Sequence, residues 1–145
     1  MNENQVEKLL LQIEDVGLNT DIYDRPDEVD WDLFRETFHT DFGETFVSFT
    51  NLMSKFVFTG ESYKITSDNK NLNESIYSVY KHESSYPTWN ANMLPILGYG
   101  NGDFICLSIA DGSSSSVYLY EHEENSFTII SESFSEWLIE TDGYG

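Results

Sequence analysis

The sequence is poor in positive charge and in cysteine, and it has no long apolar run. Seven Lys and Arg stand against 26 Asp and Glu, which gives a formal net charge of −19 at pH 7. The single cysteine, Cys106, cannot form an internal disulfide, and its apolar neighbours favour a small buried side chain. The longest apolar runs, such as residues 9–11 and 105–107, are far shorter than the roughly 20 residues of a membrane-spanning helix.

These shortages narrow the classes of partner. Nucleic acid and anionic membranes carry the same charge sign as the chain and are disfavoured, whereas a basic protein would be attracted. The first residues are acidic and contain no apolar stretch of the kind that opens a secretory signal. We therefore expect a cytoplasmic protein that contacts neither nucleic acid nor membrane, with an oligomeric state that the sequence leaves open.

The charge is also unevenly distributed. All cationic residues lie at or before position 81, at Lys8, Arg25, Arg35, Lys55, Lys64, Lys70 and Lys81. Residues 82–145 contain no Lys or Arg. They contain ten carboxylates, which are Glu83, Asp103, Asp111, Glu121, Glu123, Glu124, Glu132, Glu136, Glu140 and Asp142. The alternative to a binding role is that this acidity serves only solubility.

The length and composition predict one α+β domain over residues 1–145, since 39% of the residues are hydrophobic and 15% are aromatic. Apolar spacing predicts an opening helix over residues 3–16 with Gly17 as its left-handed cap, a second helix capped by Asp30, and a third after Gly43. A short hairpin is expected to turn at Gly60, followed by a helix over residues 71–83. The helical aromatic stripes predict core positions at Trp31, Phe34, Phe38, Phe46, Phe49 and Trp137.

The last third has the clearest pattern. Strand-like runs at residues 93–99 and 104–109 flank Gly100-Asn101-Gly102-Asp103, a sequence that favours a hairpin turn. A serine-rich segment at residues 110–116 is expected to be a flexible loop, and a second hairpin is expected to turn near Asn125. Ser133 and Glu136 form a capping box for a closing helix. The sequence therefore predicts an antiparallel meander sheet with helices packed on it.

No pattern typical of catalysis is present. The three histidines, His39, His82 and His122, do not have the spacing of a zinc site or of a zinc-protease helix. The glycines near Gly100 join two strands and precede no helix, so they do not form a phosphate-binding loop. We predict a protein that is not an enzyme and that has no cofactor and no metal.

Partner-binding residues are predicted from charge and from local sequence. Carboxylates of the cation-free half are expected to attract and pair with Lys and Arg of a basic partner. Two aromatics beside a proline and a glycine are expected to be exposed as interface anchors. The predicted contact residues are Asp103, Asp111, Glu121, Glu123, Glu124, Trp89 and Tyr99.

Three segments, in this order, resemble the C-terminal half of the SUKH superfamily of Smi/Knr-type domains. They are residues 94–107 with Gly102 and Asp103 at the turn, the Val-Tyr-Leu-Tyr-Glu-His run that ends at His122, and the closing run at residues 131–138. The N-terminal half agrees in outline, with Asp41-Phe-Gly43 where the family often has Leu-Pro.

The resemblance implies an α+β fold, no catalytic activity, and a role as an immunity protein that neutralises a bacterial toxin, often a nuclease. A nuclease groove is basic because it holds phosphates, so an acidic inhibitor could occupy it. The alternative function is a non-catalytic regulatory scaffold, which would bind a host protein.

Overall fold

The computed structural model describes residues 1–13, 17–18, 25–57, 61–65 and 75–140, and the statements below concern these ranges. Its helices are α1 Glu3–Gln12, α2 Glu28–Phe38, α3 Glu44–Leu52, α4 Ile76–Ser84 and α5 Phe134–Glu140. Its strands are β1 Gly17–Leu18, β2 Phe56–Val57, β3 Glu61–Ser62, β4 Met93–Gly98, β5 Phe104–Ser108, β6 Val117–Glu121 and β7 Ser126–Ser131.

The main sheet is antiparallel and has the order β3-β4-β5-β6-β7. Its last four strands follow each other along the chain, so they form the meander that the sequence predicts. Strands β4 and β5 are buried along their whole length. Buried strands in an antiparallel sheet need cover on both faces, which explains why their residues do not alternate between apolar and polar.

Helices α1 and α2 begin at side-chain caps, and the helices pack through apolar faces. Asn2 and Gln5 form a reciprocal capping box at the start of α1, and Asp27 and Asp30 form one at the start of α2. Such caps satisfy backbone N–H groups that lack a partner in the first turn. Helix α4 packs on β4, α5 packs on β7, and α3 contacts both α1 and α5.

Phe34 on α2 is the centre of the helical core. It is fully buried, and its ring lies 5.0 Å from that of Phe38 and 6.2 Å from that of Phe46 on α3. Tyr77 on α4 contacts the same cluster, with its ring 5.8 Å from that of Phe38. Because these rings come from three helices, their burial fixes the positions of α2, α3 and α4 together.

Several predictions for the strands and helices of the last third are confirmed. The two hairpins turn at residues 99–103 and 122–125, and the closing helix has its Glu136 N–H bonded to Ser133 Oγ at 3.1 Å. Cys106 is fully buried and unpaired with any other cysteine. The six predicted core aromatics are buried, namely Trp31, Phe34, Phe38, Phe46, Phe49 and Trp137.

Other predictions for local structure are wrong. Asp27, and not Asp30, is the N-cap of α2, with Asp30 three residues into the helix. Helix α1 ends at Gln12, so Gly17 is not its cap and lies instead in β1. The strands on either side of Gly60 do not pair with each other, because β2 pairs with β1 and β3 pairs with β4. Gly60 itself and residues 14–16 and 71–74 lie outside the described ranges.

The serine-rich segment is ordered by hydrogen bonds and is not the flexible loop that its composition predicts. It contains a short 3-10 helix at Gly112–Ser114. Ser115 is buried, and its Oγ accepts a hydrogen bond of 2.7 Å from the N–H of Ser108. None of the helices in the described ranges is long and apolar enough to cross a membrane.

Truncation of Phe34 tests the helical core. Phe34→Ala is expected to lower the free energy of unfolding by about 3–5 kcal/mol, because a large aromatic is removed from a close-packed site. Leu33→Ala, one residue away on the same helix and at a position 37% exposed, is expected to cost about 1 kcal/mol or less. Urea denaturation measures both, and equal costs would show that Phe34 does not organise the helices.

Candidate functional site

Two turns of the meander lie at the same end of the main sheet. The β4–β5 turn at residues 99–103 and the β6–β7 turn at residues 122–125 connect strands of alternating direction, so the sheet brings them together. We call this region the acidic end, and define it as residues 99–103 and 121–125. It holds four of the five carboxylates that the sequence predicts as partner contacts, namely Asp103, Glu121, Glu123 and Glu124.

A row of aromatic rings supports the acidic end from within. Phe104 on β5 is the register partner of Tyr120 on β6, which in turn is the partner of Phe127 on β7. Trp89, on the loop after α4, covers this row, with its ring 4.8 Å from that of Tyr120 and 5.0 Å from that of Phe127. Its indole Nε1–H donates to the carbonyl of Met93 at 3.1 Å, which fixes the ring's orientation.

Asp103 connects the two turns. Its Oδ1 accepts hydrogen bonds from the backbone N–H of His122 at 2.9 Å and from the Nδ1 of the same histidine at 2.7 Å. In its own turn, the N–H of Asp103 donates to Asn101 Oδ1 at 3.0 Å. The Asn101 side-chain amide N–H also donates to Asp103 Oδ2 at 3.4 Å. Partial burial raises the pKa of Asp103, but the hydrogen bonds donated by His122, the charge of His122 and the bond donated by Asn101 outweigh it, so the pKa lies below its usual value of 3.8.

Gly102 allows His122 to approach the first turn. Its φ is +96°, and a Cβ at this position would lie 3.0 Å from Cγ of His122. Gly100 in the same turn has a φ of +80°, but a Cβ there would meet no atom within 4 Å. Gly102 is therefore required by both its backbone conformation and its close contact with His122, whereas Gly100 is required by its backbone conformation alone.

A cavity of about 240 Å³ opens beside the acidic end, between the meander and the last turn of α4. Residues that line it include Glu83, Tyr86, Trp89, Tyr120, His122 and Asn125. The hydroxyl of Tyr120 donates to Asn125 Oδ1 at 3.0 Å. Burial, followed by the charge of Glu83, raises the pKa of Tyr120. The cavity thus combines aromatic walls with a carboxylate.

The His122–Asp103 pair has the appearance of two members of a hydrolytic triad. Within the described ranges, however, the only side chain hydrogen-bonded to the imidazole is that of Asp103. No hydroxyl or thiol there is placed as a nucleophile against it. The pair instead joins two turns, and the carboxylates of Glu121, Glu123 and Glu124 lie in or beside the second of them.

The predicted contact residues are placed as follows. Glu123 and Glu124 are exposed, whereas Glu121, Asp103 and Tyr99 are half-buried at the acidic end. Their role in binding a partner stays a prediction.

Asp111 and Trp89 do not fit the expected pattern. Asp111 is exposed but lies at the opposite end of the sheet, because it follows β5 where that strand leaves the acidic end. The exposure predicted for Trp89 is wrong. Its side chain is only 8% exposed, since the loop that carries it folds back over Tyr120 and Phe127.

The sequence does not mark His122 or Glu83 as site residues. His122 was considered only as a metal ligand, and Glu83 was counted only among the carboxylates of the cation-free half. The signal for His122 was the pairing of two Gly- and Asn-containing turns in a meander, which places residues 19 positions apart side by side. Nothing in the sequence places the last turn of α4 against them.

The architecture is that of an α+β domain, with helices packed on an antiparallel four-strand meander and a group of carboxylates at two of its turns. The family model described as SMI1-KNR4 cell-wall, a SUKH family, matches residues 6–141. The chain therefore belongs to this SUKH family. The match extends into the N-terminal half, where the motifs alone agree only in outline. The comparisons with curated proteins and with solved structures found no significant match.

The two turn glycines give a matched test of the site's geometry. Gly100→Ala is expected to cost about 1–2 kcal/mol of the free energy of unfolding, because of its positive φ alone. Gly102→Ala is expected to cost more, since its methyl group would also displace His122. Urea denaturation gives the energies and NMR chemical shifts report the His122 ring. Equal costs with an unmoved ring would contradict the contact.

The Asp103 carboxylate makes stability depend on pH. Because its folded pKa lies below its unfolded one, its contribution is present above the usual value of 3.8 and is lost as pH falls through the folded pKa. Asp103→Asn keeps an acceptor for the His122 N–H but cannot carry charge. The stability gap between wild type and this variant is therefore expected to shrink as pH falls below about 4. A stability difference between wild type and Asp103→Asn that increases as pH falls below about 4 would contradict the lowered pKa of Asp103.

Proposed function

We propose that this chain is an immunity protein, which binds a basic toxin protein of the nuclease type through its acidic end and thereby neutralises it. Membership of a SUKH family supports a binding role without catalysis. The observation that carries the proposal is that folding gathers Asp103, Glu121, Glu123 and Glu124 at one end of the sheet. Asp103 belongs to the β4–β5 turn, whereas Glu121, Glu123 and Glu124 lie together at the end of β6 and in the β6–β7 turn, so only the fold brings Asp103 close to the other three.

The electrostatics of this surface favour a cationic protein partner. Glu123 and Glu124 are exposed on the turn, and the nearest cationic residue before them in sequence is Lys81. A nuclease must present Lys and Arg to hold phosphates, and these groups can pair with carboxylates that occupy the same groove. Opposite potentials also speed association, which suits a protein that must bind a toxin before it acts.

Hydrogen bonds and aromatic contacts hold the carboxylates of the acidic end in position. Asp103 is tied to His122, and the aromatic row holds both turns against the strands behind them. Preorganised groups lose less conformational entropy on binding than mobile ones. The acidic end is therefore suited to a partner whose basic groups have a fixed arrangement.

Growth rescue tests the function. The protein encoded next to this chain, if it ends in a basic domain, is expressed from an inducible promoter with and without the chain. We expect the basic domain to stop growth and co-expression of the chain to restore it. Failure to restore growth, together with stoichiometric recovery of a host protein on the chain, would overturn the proposal and favour a scaffold.

Charge reversal tests the surface. Two double variants change the net charge by the same amount. One carries Glu123→Lys and Glu124→Lys at the acidic end, and the other carries Asp111→Lys and Glu132→Lys at the opposite end of the sheet. We expect the first pair to slow association with the basic domain roughly tenfold or more at low salt, and the second pair to slow it far less. Stopped-flow fluorescence across a salt series measures the rates, and equal effects of the two pairs would argue against the acidic end.

A further inference from the structure

The cavity beside α4 has the size of a site for one side chain. Its volume of about 240 Å³ is below the roughly 300–1,000 Å³ of sites for drug-sized ligands. It opens next to the acidic end, where the proposed partner would lie. A side chain that projects from that partner could therefore enter it.

The walls of the cavity favour a flat or cationic group. Trp89 and Tyr120 line the cavity although they are only 8% and 7% exposed, and Tyr86 adds a third ring that is 50% exposed. Aromatic rings attract cations. Trp89 is held by its bond to the Met93 carbonyl and by contacts with the aromatic row, so this wall is preformed. Preformed aromatic pockets are typical of the positions that contribute most to protein binding.

The charge in the cavity comes from Glu83. Its carboxylate is half-buried, and no Lys or Arg of the described ranges forms an ion pair with it. Burial raises the pKa of Glu83, and the charge of the neighbouring His82 offsets only part of this effect. The residue also lies in the last turn of α4, where the helix dipole adds negative potential.

We propose that this cavity receives an arginine side chain of the partner protein, with the guanidinium against Trp89 and Tyr120 and paired with Glu83. Arginine fits better than lysine because its planar group stacks on rings and presents several donors to a carboxylate. Asn125 Oδ1 and the Thr88 hydroxyl, on the same lining, are further acceptors. The inference rests on the proposed function, since it specifies how the partner is recognised.

A small probe tests the cavity without the partner. N-acetyl-arginine amide is titrated into the ¹⁵N-labelled chain and compared with N-acetyl-citrulline amide, which has a similar shape without the charge, and with N-acetyl-lysine amide. We expect saturable shifts of the Trp89 indole N–H with the arginine probe at millimolar concentrations, weaker binding of the lysine probe, and no saturation with citrulline.

Matched variants locate the binding. Glu83→Gln keeps the shape of the side chain and is expected to weaken the arginine probe about tenfold, because the charge-assisted bond is lost. Glu132→Gln removes one exposed carboxylate at the far end of the sheet and is expected to leave the affinity unchanged. The spectra themselves show whether each variant is folded. Equal affinity of wild type and Glu83→Gln, or no saturable shift in wild type, would overturn the inference.

The outcome separates the cavity from the proposed function. If the chain restores growth against the basic domain but does not bind the arginine probe, the cavity inference is wrong and the function stands. If the probe binds through Glu83 but the chain restores no growth, the immunity function is wrong and the cavity remains a guanidinium site.

Discussion

The packing of Trp89 across Phe104, Tyr120 and Phe127 is the interaction on which the acidic end of the molecule depends. These three rings are register partners on consecutive strands, so one indole closes over all of them. The row holds the ends of both hairpins, brings the loop after α4 onto the sheet, and forms one wall of the cavity. Aromatic contacts of this kind contribute beyond the area that they bury. Loss of the indole would release the acidic end as well as part of the core.

The carboxylates that are proposed to bind a partner at the acidic end also lower the stability of the free protein. Carboxylates gathered at two adjacent turns repel one another, and a net charge of −19 opposes the compact state in general. The structure limits this cost by keeping Glu123 and Glu124 in solvent, where water screens them. Asp103, which is less exposed, is hydrogen-bonded to His122. A basic partner would relieve the repulsion that remains, so the charges that destabilise the free protein would favour the proposed complex.

The sequence predicted the elements governed by local rules and missed those set by tertiary contacts. The two hairpins follow from Gly100-Asn101-Gly102 and from Asn125, whose φ of 50° is positive, and such preferences are properties of the residues themselves. The pairing of β2 with β1 depends on chain segments that are distant in sequence, so a glycine between β2 and β3 suggested the wrong hairpin. Trp89 was expected to be exposed because it lies in a loop beside Pro87. Its burial results from contacts with the aromatic row, which no local pattern reveals. No local pattern reveals the position of Glu83 beside the acidic end either.

Hydrogen exchange of the chain, free and in complex with the basic domain encoded beside it, tests most directly whether the acidic end is the face that meets the proposed partner. Binding through this end is expected to slow exchange at residues 99–103 and 121–125 and at the end of α4, with little change at residues 109–116. Protection confined to residues 109–116, at the opposite end of the sheet, would contradict it.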